Sequence, residues 1–137
     1  MPEPDKIAAV VQGWVTKAEN DLKNATHTLK LGRECPTDTV CFHAQQCVEK
    51  YVKAFLVATG VEFPRTHDVE MLVTLMPQSA RPSLTLVEQR TLTNYATALR
   101  YPSPYEPVTL SEAREAVKLA RRVRREIRRL LEGEALF

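Results

Sequence analysis

The chain has 137 residues, 44% of them hydrophobic and 26% charged, proportions that suit one globular domain with a sizeable core. A net charge of +2 and only 4 Gly argue against an acidic solvating chain and against a turn-rich β fold. No apolar run is long enough to cross a membrane, and the acidic, proline-broken start Met1-Pro2-Glu3-Pro4-Asp5 is no signal peptide, so a cytoplasmic protein is expected.

The first helix is expected from about Ile7 to Leu31, where Ile7, Val10, Val11, Trp14, Ala18, Leu22, Ala25 and Leu29 recur at three- and four-residue steps. Gly32 and Pro36 end it. Residues 1–6 are expected to be flexible. The second helix is expected over Thr39 to Thr59, with Thr37 or Asp38 as N-cap and Gly60 as its stop. Val40, Ala44, Cys47, Val48, Tyr51, Ala54, Phe55 and Ala58 share one broad face, widened by Val52 and Leu56, which predicts a central place in a bundle. The remaining face carries Gln46, Glu49 and Lys53, with Phe42 among them.

A short third helix is expected near Asp68 to Met76, capped by Thr66 or His67. Pro77 and Pro82 bracket a loop. The fourth helix is expected over Leu84 to Leu99, with Leu84, Val87, Leu92, Tyr95 and Leu99 inward. Three prolines in Tyr101-Pro102-Ser103-Pro104-Tyr105-Glu106-Pro107 forbid its continuation. Thr109-Leu110-Ser111-Glu112 reads as a capping box opening the fifth helix. Ala113, Ala116, Val117, Ala120, Val123, Ile127, Leu130 and Leu131 form its apolar arc. Arg114, Lys118, Arg121, Arg125 and Arg128 fall on a separate arc, with Arg122 and Arg129 beside them; at about 100° per residue, Arg124 projects toward the apolar side. Residues 132–137 are expected to be flexible. The periodicities predict an all-α, up-and-down antiparallel bundle of four long helices plus one short helix, as a single domain over 1–137.

The segment Ala44-Gln45-Gln46-Cys47-Val48-Glu49-Lys50-Tyr51-Val52-Lys53-Ala54-Phe55-Leu56, followed by Gly60-Val61-Glu62-Phe63-Pro64-Arg65-Thr66-His67-Asp68-Val69, resembles the HEPN domain signature. Trp14, Ala18, Asp21-Leu22 and Ala25 resemble that domain's first helix. Tyr95-Ala96-Thr97 and Arg100-Tyr101-Pro102 resemble the end of its fourth. The resemblance implies a helical bundle that usually dimerises and that often binds a minimal nucleotidyltransferase encoded beside it. In such pairs the HEPN partner resembles an RNase toxin and the nucleotidyltransferase its antitoxin. The RNase members carry an Arg followed a few residues later by His. Arg100 fits the Arg, but the only histidines, His27, His43 and His67, lie upstream, and Tyr105 stands where the His is expected. In some related toxins a Tyr near this motif receives a nucleotidyl group; Tyr101 and Tyr105 are the corresponding candidates here.

The implied function is therefore a nucleotide- or RNA-associated module acting with a minimal nucleotidyltransferase, toxin–antitoxin-like and homodimeric. The alternatives are a divergent RNase using Arg100 without the usual His, and a non-catalytic adaptor subunit. Candidate catalytic residues are Arg100, Tyr105 and His67. Candidate ligand-binding residues are Arg100, Tyr101, Tyr105, Gln46, Lys53 and Arg124. A guanidinium beside two phenols grips phosphate and stacks on a base, or else Arg100 caps the fourth helix. His67 is a general acid or base, or else part of a helix cap. Gln45, Gln46, Glu49 and Lys53 read a ligand or form a structural network between helices or across a dimer. Arg124 snorkels, pairs with a buried acid such as Asp21, or points into a dimer groove. The Arg stripe of the fifth helix binds RNA phosphates or is a solvated face. Cys35, Cys41 and Cys47 are odd in number and lack a framework spacing, so disulfides are not expected. His43 and Cys47 lie one turn apart without a further ligand pair, so neither metal nor cofactor is expected.

Overall fold

The computed structural model describes residues 3–97 and 107–134. Five α-helices appear in chain order: α1 (Pro4–Leu29), α2 (Thr37–Ala58), α3 (Val69–Thr74), α4 (Leu86–Thr97) and α5 (Leu110–Gly133). Among the described residues there is no strand, and no helix is long and apolar enough to cross a membrane. The all-helical bundle expected from periodicity is what forms.

Side-chain pairings set the directions. Glu19 meets Tyr51 while Asp21 meets His43, so α1 and α2 are antiparallel. Glu19 meets Arg124 while Thr26 meets Arg121, so α5 also opposes α1. Tyr95 bonds Glu112 while Ser83 bonds Glu126, so α4 opposes α5. The four long helices thus alternate up and down. α2 is central: it packs against α1, α3, α4 and α5. Burial of its large apolar side chains, Tyr51, Phe55 and Leu56 among them, is the main stabilising term, about 1.5–3 kcal/mol each.

Local chemistry explains where the helices begin. α1 starts at Pro4, three residues before the expected Ile7, because Pro at N1 forfeits no hydrogen bond and Asp5 sits favourably in the first turn. The buried stripe of α1 is Val11, Val15, Ala18, Leu22 and Ala25; Val10, expected inward, is 50% exposed. Neither Thr37 nor Asp38 caps α2. Pro36 occupies the N-cap, and the Thr37 hydroxyl donates instead to the Val108 carbonyl at 2.6 Å, pinning the chain just before α5. Gly60 takes φ 73°, the left-handed stop expected after α2. Asp68, rather than Thr66 or His67, caps α3, accepting from Met71 N at 3.1 Å; the Thr66 hydroxyl accepts from Asp68 N.

α4 starts at Leu86, and Val87, expected inward, is 72% exposed, because Leu84 enters the core from the preceding turn. Thr85 and Glu88 form the capping box there, each accepting from the other's backbone N–H. At α5 only half of the expected box forms: Thr109 accepts from Glu112 N at 3.0 Å, but the Glu112 carboxylate accepts from the Tyr95 hydroxyl at 2.6 Å. The capping residue's acid is thereby used to tie α5 to α4.

Candidate functional site

A groove of about 750 Å³ runs between α1 and the second half of α5. Lys23, His27 and Lys30 recur at four- and three-residue steps along one wall. Arg121, Arg124, Arg125, Arg128 and Arg129 line the other. Among the described residues, the acids on its lining are Glu19 and Glu132, and Leu22 is the one large apolar side chain.

Glu19 organises the floor. Its Oε1 accepts from the Tyr51 hydroxyl at 2.7 Å, from Arg124 Nε at 2.7 Å and from Arg128 Nη1 at 3.2 Å. Burial alone raises the pKa of this carboxyl, but the hydrogen bonds from Tyr51 and Arg124 and the charges of Arg124 and Arg128 outweigh it, and the net shift is downward. Glu19 is therefore an anion. Arg124 is shifted further upward by the same contact, against the opposing effect of its own burial. Burial first, then the Glu19 hydrogen bond and charge, push the Tyr51 phenol well above its ordinary range, so it stays a proton donor. Lys23, Lys30, Arg125 and Arg129 have no ion-pair partner among the described residues, and all four are exposed. The result is a cationic trough whose floor is held by one partly buried acid, with its rim charges open to an anionic ligand.

A second cluster centres on Glu49, whose side chain is only 3% exposed. One carboxylate oxygen lies 2.7 Å from His67 Nδ1 and accepts from the Gln45 and Gln46 amides at 3.2 and 3.3 Å. The other accepts from Lys53 Nζ at 2.9 Å. Gln45 also donates to the His67 carbonyl at 3.0 Å, so both the ring and the backbone of His67 are fixed. Lys53 Nζ lies over Trp14 and Phe63, 5.4 and 5.7 Å from their ring centroids. The His67 side chain remains 49% exposed, and its Nε2 has no hydrogen-bond partner among the described residues. This is an imidazole oriented by a buried carboxylate, an arrangement that suits proton transfer.

The structure brings three of the sequence-derived candidates, His67, Gln46 and Lys53, together around Glu49. Arg124 is elsewhere. Glu49 and Tyr51 are two residues apart, about 200° around α2, so the Glu49 cluster and the groove lie on nearly opposite faces of that helix. Arg124 pairs with Glu19, not with Asp21, which instead lies 2.9 Å from His43 Nδ1 and accepts from Lys50 at 2.6 Å. Gln46, Glu49 and Lys53, expected on the outer face of the second helix, are buried by the chain between α2 and α3 and by Trp14. Arg100, Tyr101 and Tyr105 lie outside the described residues. Sequence reasoning missed Glu19 and Tyr51 as a pair, and missed the basic wall of α1. The spacing of Lys23, His27 and Lys30 was a usable signal for that wall.

The model of the HEPN domain matches residues 11–130. The chain belongs to the HEPN family. An archaeal HEPN homologue of known crystal structure is 30% identical, over 88% of this chain and 97% of that one, with a TM-score of 0.69. No curated protein matches this HEPN chain significantly.

Proposed function

We propose that this HEPN chain is a nucleotide- or RNA-associated module that works with a minimal nucleotidyltransferase in toxin–antitoxin-like regulation, as a cytoplasmic homodimer. The groove between α1 and α5 is its anion-binding surface. The observation that carries this reading is the lining itself: among the described residues seven Lys and Arg side chains face two carboxylates, one of which, Glu19, serves to orient Arg124 and Arg128. Such a surface attracts phosphates electrostatically. The nucleotidyltransferase partner and the dimer rest on family resemblance. The test compares wild type with Lys23→Glu/Arg125→Glu/Arg129→Glu for RNA and nucleotide binding by fluorescence anisotropy. Binding lost in the variant supports the reading, and undiminished binding removes the groove from it. Co-elution with a co-encoded minimal nucleotidyltransferase tests the partner.

A second reading is a divergent RNase in which Arg100 stabilises the developing phosphorane charge and His67 takes the proton that the missing His would have taken. The contact between His67 Nδ1 and the buried Glu49 carboxylate favours it. His67 suits this role better than Tyr105, because imidazole titrates near neutrality and phenol does not. An RNase assay on wild type, Arg100→Ala and His67→Ala decides. Full cleavage by His67→Ala sinks this reading.

A further inference from the structure

We infer that the groove between α1 and α5 takes the sugar–phosphate backbone of base-paired RNA and reads no bases. This rests on the proposal that the groove is the nucleic-acid surface of the module.

The dimensions come first. From Lys23 to Lys30 the α1 wall extends about 10 Å, and from Arg121 to Arg129 the α5 wall extends about 12 Å, at 1.5 Å per residue. A DNA duplex advances about 3.4 Å per nucleotide on each strand and the A-form RNA duplex somewhat less, so each wall matches the rise of at least roughly three or four phosphates. The cations occupy both walls along this length and are not gathered at one point.

The lining chemistry comes second. A nucleotide pocket is concave and mostly apolar, with a few placed polar groups. Here Leu22 is the one large apolar contributor among the described residues. Surfaces that hold unpaired strands stack successive bases on aromatic side chains. Among the described residues no Phe, Tyr or Trp lines this groove, and His27 is the single ring. Affinity must therefore come from charge, and a duplex offers a denser array of charge than an unpaired strand.

The Glu19 anchor comes third. By engaging Arg124 through Nε, it fixes that guanidinium plane and leaves the terminal N–H groups of Arg124 for phosphate oxygens. A basic trough with a fixed floor is a built feature, unlike a solvated row of arginines.

The experiment uses the full chain and labelled RNA duplexes of about two helical turns and two unrelated sequences, an oligouridine strand of equal length, and ATP as competitor. Anisotropy is followed between roughly 50 and 200 mM salt. Both duplexes should bind with similar affinity and at least tenfold more tightly than the strand. Millimolar ATP should not compete. The slope of log K against log salt should be about −4.5, from the 0.9 per phosphate expected for the five charges left after Glu19 and Glu132 offset two of seven. Lys23→Glu/Arg129→Glu should weaken duplex binding at least tenfold. Arg114→Glu/Lys118→Glu, the same charge change on exposed residues outside the groove, should weaken it less than threefold. A duplex preference short of tenfold, or competition by ATP, overturns the inference and leaves the broader nucleotide- or RNA-associated reading standing. No binding by any ligand overturns both. A tenfold loss in the Arg114/Lys118 variant overturns the location.

Discussion

The Glu49 cluster predicts a large and specific stability effect. Replacing Glu49 by Ala removes, among the described residues, the only anion bonded to Lys53, whose side chain is 8% exposed, and deprives the Gln45 and Gln46 amides of an acceptor. Stripping one partner from a buried ion pair costs about 3–5 kcal/mol. The contacts of Lys53 with Trp14 and Phe63 survive the change, which places the expectation near the low end, about 3 kcal/mol. For a domain of this size that corresponds to a fall in Tm of roughly 10 °C. Equilibrium urea unfolding followed by far-ultraviolet circular dichroism measures it. Removing both charges, as Glu49→Leu/Lys53→Met, should recover most of the loss, because no uncompensated charge is then buried. A loss below about 1 kcal/mol for Glu49→Ala, or a double variant as unstable as the sum of its singles, refutes the account of a charge pair held by burial.

Further expectations concern the groove, the thiols and the α5 cap. Glu19 has a folded pKa below its ordinary 4.5, so its stabilising contribution is present above that value and is lost as pH falls through the lower folded one. The stability advantage of wild type over Glu19→Gln should thus be constant near neutrality and shrink below pH 4.5 in urea titrations; an advantage that grows on acidification contradicts the sign. Burial pushes the Cys41 thiol up to about 12 and Cys47 higher still, and both are fully buried, whereas Cys35 is partly exposed. A thiol reagent at mildly alkaline pH should label one site quickly, Cys35 by mass spectrometry, and all three cysteines after denaturation. Thr109→Ala should cost about 1 kcal/mol in chemical unfolding and Thr109→Ser little, because the serine hydroxyl still accepts from Glu112 N.

The bundle was legible because its helices carry apolar residues at helical spacing, and because α2 is apolar over most of its surface. Val117, Ala120, Val123, Ile127 and Leu131 all face the core as their spacing requires. Val10 and Val87 did not follow, since a periodic pattern defines a face but not which edge of that face the neighbouring helices cover. Burial of Gln46, Glu49 and Lys53 was illegible for a related reason. Their cover comes from the chain leading to His67 and from Trp14, and only the tertiary path brings these to α2. The inward tendency of Arg124 was legible from its angle on α5, but the choice of Glu19 over Asp21 was not. Two residues apart on α1, these acids differ by about 200°, and the packing of α5 against α1 selects one of them.

The central claim is that RNA occupies the trough between α1 and α5. Titrating isotope-labelled protein with duplex RNA and following backbone amide shifts by NMR tests it most directly. The account predicts perturbations concentrated between Glu19 and Lys30 and between Arg121 and Glu132, with His67 and its neighbours little changed. Perturbations centred on Phe63 to Asp68 and Glu49, with α5 silent, would contradict it.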